Sequence, residues 1–87
     1  MSNTAALLEL RLQALSPLQL HITDDSAAHA GHAGAKSGGH FDLLIVSDAF
    51  SGKNRLQRQR MVYDALGDLS ALHIHALSMR ALTPEEI

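Results

Sequence analysis

Six histidines and no cysteine set the chemistry open to this chain. Three of them, His29, His32 and His40, fall in HAGHAGAKSGGH, residues 29–40, among Gly and Ala. Imidazoles at this spacing suggest a metal site, whereas the glycines suggest a phosphate loop or a flexible connector. A fourth, His75, stands in LHIHALSM, residues 72–79. Without a thiol there is neither a disulfide nor a thiolate nucleophile. Any metal would be held by His, Asp or Glu, or by a partner's sulfur. H-x2-H in a Gly/Ala-rich loop would hold zinc loosely, because no acid stands close by within the loop. A phosphate cradle is weaker still, since a strand rather than a helix start follows the glycines. The plain alternative for the loop is a solvated connector. For His75 it is a strand histidine hydrogen-bonded to a neighbour.

A second group is basic. Lys53, Arg55, Arg58 and Arg60 are four of the seven Lys and Arg residues, and they follow Gly52 in the turn Phe50-Ser51-Gly52-Lys53. Cations beside a turn glycine and a helix start can contact phosphates. Against this stand a net charge of −2 and a shortage of aromatics: only Phe41, Phe50 and Tyr63 are available for base stacking. A solvated helix face is the plain alternative, and the same surface could pair with the acids of a partner protein. An enzyme has little support. There is no G-x-S-x-G and no metal-hydrolase motif, and Asp24, Asp25 and Asp48 sit where strands end and turns form.

The elements that must position these groups read in order. Residues 4–15, TAALLELRLQAL, form a helix with Leu8, Leu12 and Leu15 at i, i+4, i+7, capped by Ser2 or Thr4 and ended by Ser16-Pro17. Residues 18–23 alternate, with Leu18, Leu20 and Ile22 on one face of a strand. After the loop at 26–39, FDLLIVSD, residues 41–48, is apolar enough for a central strand buried on both faces. Residues 54–69 read as helix with a conflict. Leu56, Tyr63 and Leu66 make one stripe and Val62, Leu66 and Leu69 another, and the second also carries Arg55 and Arg58. A break near 58–61 would resolve it. Residues 72–79 form a third strand, with His75 sharing a side with His73, Leu77 and Met79. Thr83-Pro84-Glu85-Glu86 starts a last helical turn. The first two strands pair antiparallel across the loop. The second and third pair in parallel through a right-handed helical crossover. The expected fold is α+β, one small domain over 1–87, with a three-stranded mixed sheet and helices on one face.

Eighty-seven residues leave no room for a second core. With 46% apolar and 18% charged residues the composition is that of a globular chain. No apolar run reaches the roughly 20 residues of a membrane span. No basic region precedes the leucines of MSNTAALLELRLQAL, so the cytoplasm is the expected compartment.

HFDLLIVSDAFSGKNRLQRQRMVYDAL followed by IHALSMRALTPEE resembles the BolA family. The matching pieces are the aromatic strand ending in VSD, F-x-G-K at Phe50, Gly52 and Lys53, R-x-R-M-V-Y over 58–63, and I-H-A-L-S around His75. The loop at 26–39 is longer and richer in Gly and Ala than the family pattern, and Ile87 replaces the usual aromatic after the last acidic pair. The resemblance implies a fold similar to the class II KH domain, in the order α-β-β-α-α-β with a possible last helical turn. The glycine-loop pattern of KH domains is absent; F-S-G-K stands near it. It implies a non-enzymatic partner of monothiol glutaredoxins, with a [2Fe-2S] cluster shared with the glutaredoxin and its glutathione, and none in the isolated chain. His75 matches the family's C-terminal ligand. His29 best matches the loop ligand, His32 competes with it, and His40 reads as a strand-start residue with a structural role. DNA-binding regulation through Gly52, Lys53, Arg55, Arg58 and Arg60 is the alternative. Alone, the chain is expected as a monomer or weak homodimer.

Overall fold

The structure, a computed structural model, describes residues 4–24, 39–69, 71–72 and 74–87. Helix α1, Thr4–Leu12, continues as a 3-10 turn through Leu15. It buries Leu8 and Leu12, the i, i+4 pair of the expected stripe. Ser16 then takes a left-handed conformation (φ 49°), which turns the chain sharply before Pro17.

Strands β1 (Gln19–Asp24), β2 (Gly39–Val46) and β3 (Ile74–Leu82) form one sheet in that order. β1 pairs antiparallel with β2, Leu20 opposite Ile45 and Ile22 opposite Leu43. β3 pairs parallel to β2, Phe41 beside Leu77 and Ile45 beside Ala81. Helix α2, Arg55–Leu66, makes the crossover. Leu8, Leu12, Phe41, Leu43, Ile45, Phe50, Val62, Leu66, Leu72 and Ile74 share one buried cluster, so both helices lie on the same face of the sheet. The α+β class, the mixed sheet and its pairing are those expected.

Four details differ. Leu18 was expected on the inner face of the first strand; it precedes β1 and is exposed. β2 was expected to be buried on both faces. Phe41, Leu43 and Ile45 are buried against the helices, but on the far face Asp42 is exposed and Leu44 half-buried, and burial there is reached at the strand's end, by Val46. β3 runs three residues beyond the expected end, to Leu82. The break near 58–61 does not occur; the crossover instead holds a short 3-10 helix, Asp48–Phe50, before the unbroken α2, and turns follow at Leu69 and at 71–72.

The unbroken helix has a physical cause. α2 buries Val62 and Leu66 and leaves Leu56 and Tyr63 exposed, so the second stripe faces the core and the first faces water. Arg58, one turn before Val62 on the inward stripe, is tolerated because every nitrogen of its guanidinium has an acceptor. Its Nε donates to the Lys53 carbonyl (2.9 Å) and Nη1 to the Ala81 carbonyl (3.0 Å). Nη1 and Nη2 also grip the two Glu86 carboxylate oxygens at 2.6 and 3.1 Å. A long cation can bury its stem and still place its head among acceptors. Glu86 in turn accepts the Thr83 amide (2.7 Å), which fixes the 3-10 turn Pro84–Glu86.

Both ends of α2 are closed from within the chain. Asn54 and Gln57 form a reciprocal capping box, each side-chain oxygen accepting the other's amide at 2.8 Å. At the other end Arg11 of α1 donates to the Leu66 carbonyl (2.6 Å), and Gly67 turns the chain away at φ 78°. A Cβ there would stand 3.0 Å from Arg11 Nη1, in a backbone region that other residues avoid. Gly67→Ala should therefore lower stability by roughly 1–3 kcal/mol in urea unfolding. No change would mean that this turn relaxes freely.

The Arg58 pair predicts an acid response. Hydrogen bonding from Arg58, and next from the Thr83 amide, lowers Glu86 from 4.5 to about 2. A carboxylate with a depressed folded pKa stabilises fully above its unfolded value, and loses that contribution as pH falls toward the folded one. The window is therefore from about 4.5 down to about 2. Glu86→Gln should be less stable than wild type at neutral pH and should flatten this part of the acid-unfolding curve. An unchanged acid profile would show that the pair does not hold the C-terminal turn.

Candidate functional site

His75 reaches the surface through a fault in the sheet. Along β2 and β3 the pairing is regular from His40 and Ala76 onward, but one step earlier Gly39 faces Ile74. One residue of β3, His75, is therefore unmatched. Strict alternation would put His75 on the same side as Leu77 and Met79, facing the helices. The irregularity lets Ile74 and Leu77 both face inward while His75 and Ala76 are exposed. The expected common side of His75, Leu77 and Met79 is thus corrected; His73 lies outside the described residues.

The same fault brings a second imidazole into place. His40, on the outward face next to the buried Phe41, is half-buried. Its ring centroid lies 5.2 Å from that of His75, with the ring planes tilted by 43°. Two imidazoles bound to one tetrahedral ion through bonds of about 2 Å have centroids roughly 5 Å apart, so the separation suits a shared ion. Among the described residues no group of three or more His, Cys, Asp or Glu could hold a metal. The arrangement there is a pair of nitrogen donors that would need ligands from elsewhere. His29 and His32 lie outside the described residues, as does all of the loop from 25 to 38. His40, read from sequence as a strand-start residue, is the candidate that periodicity could not find. Its neighbour sits thirty-five positions along the chain, and only the parallel pairing with its bulge joins them.

The basic group is split by the structure. Lys53, Arg55 and Arg60 are exposed, and Arg80 of β3, which sequence reasoning passed over, is exposed with them. Arg58 has a side chain only 14% accessible and is bound to three parts of its own chain. An outside phosphate would have to compete with Glu86 for this guanidinium. Gly52 holds a positive φ of 74°, which suits the turn into α2, and open space surrounds the position where a Cβ would be. Of the aromatics considered for stacking, Phe41 and Phe50 are buried in the core and Tyr63 is exposed. Lys53, Arg55, Arg58, Gln59 and Arg80 line a groove of about 440 Å³ with Met79, Ala81, Leu82 and Glu86. Among the described residues no helix is long and apolar enough to cross a membrane.

Comparison with known proteins now names the scaffold. SufE-like protein 1 of Arabidopsis thaliana, chloroplastic/mitochondrial, is 44% identical over 84% of this chain, which spans 21% of that protein's length. The DNA-binding transcriptional regulator BolA of Escherichia coli is 37% identical over 84% of this chain and 68% of its own length. The solved BolA domain of SufE1 from Arabidopsis thaliana matches with a TM-score of 0.83 at 41% identity, covering 100% of this chain and 99% of that one. The profile described as BolA-like protein matches residues 12–86, and the chain belongs to the BolA family.

Proposed function

We propose that this chain is a non-enzymatic adaptor that pairs with a monothiol glutaredoxin and shares a [2Fe-2S] cluster with it, serving cluster transfer or iron and redox regulation. The observation that carries the reading is the outward-facing imidazole pair, His75 beside His40 at 5.2 Å, on a chain without cysteine. His75 would be one ligand. The second imidazole is His40 by geometry, or His29 or His32 by the family's loop position. The glutaredoxin cysteine and glutathione would provide the sulfur ligands. Histidine ligation raises a cluster's potential relative to an all-thiolate set.

DNA binding has weaker support. The E. coli relative carries that activity in its name, but here Arg58 is tied to Glu86, two of the three aromatics are buried and the net charge is −2. Nor does the compartment follow from kinship, since the Arabidopsis relative is named for chloroplast and mitochondrion.

The test is anaerobic reconstitution with a monothiol glutaredoxin and glutathione, followed by visible absorption and circular dichroism. Wild type should change the glutaredoxin's cluster spectrum, and His75→Ala should abolish the change. Among His40→Ala, His29→Ala and His32→Ala, the variant that reproduces this loss names the second ligand. An unchanged spectrum with wild type would sink the adaptor reading.

A further inference from the structure

β3 is an edge strand. Its nine residues, Ile74–Leu82, pair with β2 on one side, and no strand among the described residues pairs with the other. The Ser47 amide donates to the Leu82 carbonyl at 2.9 Å, so Leu82 directs its main chain toward β2. Main-chain direction alternates along a strand. Leu77, Met79 and Ala81 therefore present their amides and carbonyls to the open side. Arg58 confirms the alternation, because its Nη1 donates to the Ala81 carbonyl from that side. The amides of all three residues and the carbonyls of Leu77 and Met79 remain directed outward.

The open edge borders the groove of about 440 Å³. Its lining combines apolar Met79, Ala81 and Leu82 with the cations Lys53, Arg55 and Arg80. Among the described residues Glu86 is the one acid in the lining, and Arg58 neutralises it. A row of outward main-chain groups beside unneutralised cations is the complement of an extended chain with acidic side chains.

We infer that this groove receives an extended acidic segment of a partner protein, which adds as a fourth strand to the free edge of β3. A second copy of this chain is disfavoured, because edge-to-edge pairing would bring two like-charged clusters to one joint. Those charges guard the edge against self-association and leave it open to an acidic strand. Nucleic acid would use the cations and ignore the strand edge. The inference does not depend on the cluster reading, and its test needs no iron.

A fluorescein-labelled peptide of alternating Glu and Val should bind the full chain in a salt-sensitive way, read by anisotropy. Binding should slow amide exchange at Leu77, Met79 and Ala81. The same peptide N-methylated at every second residue keeps its charge and loses its ladder hydrogen bonds, and should bind at least roughly tenfold more weakly. Lys53→Glu combined with Arg80→Glu changes only exposed side chains. It should weaken the acidic peptide by roughly tenfold or more and favour a Lys/Val peptide instead. Three outcomes would overturn the inference. One is equal binding of the N-methylated peptide together with its displacement by duplex DNA, which would make the groove a general anion surface. Another is indifference of peptide binding to the double charge reversal. The third is concentration-dependent protection of the same three amides without peptide, the signature of a homodimer at this edge.

Discussion

Strand β2 carries hydrogen-bonded neighbours on both edges and puts Phe41, Leu43 and Ile45 into the core. Its register with β1 and β3 is the constraint on which the other features rest. A slip of one residue would turn those three side chains to the uncovered face and bring Asp42 and Leu44 inward. Burial therefore locks the register, and the locked register forces the irregularity at Gly39 and His40 to expose His75 rather than bury it. The candidate site is a by-product of the core packing next to it, with Ile74 and Leu77 facing inward on either side of the exposed pair His75 and Ala76.

Arg58 plays the corresponding part at the far end of the sheet. It joins the turn before α2, the end of β3 and the C-terminal turn through hydrogen bonds to Lys53, Ala81 and Glu86. One guanidinium thus covers the last outward carbonyl of β3 and closes that end of the strand edge, while the preceding residues stay open. It also explains how α2 remains straight with a cation on its inward stripe. The two ends of β3 are consequently different in kind. The beginning offers imidazoles, the middle an open main-chain edge, and the end cations.

Much of this was legible in the sequence for plain physical reasons. The order of elements, the antiparallel and parallel pairings and the single covered face followed from helical and strand periodicity, Ser16-Pro17 and the chirality of a crossover. His75 was marked by its place in a strand motif. The expected helix break failed because periodicity counts Arg58 as a polar fault in an apolar stripe. It cannot see carbonyls and a carboxylate waiting twenty-three and twenty-eight residues away. The inward reading of His75 failed because a local two-residue period carries no information about a bulge set by a neighbouring strand.

Composition and spacing alone thus determined a small α+β sheet protein with imidazole and no thiol to offer. They also placed the cations together at the start of α2. Only the tertiary structure decided which imidazoles meet and which cation is consumed internally. It brought His40 to His75 across the parallel pairing and committed Arg58 to Glu86. Those choices depend on register and long-range hydrogen bonds, which residue type and local period do not encode.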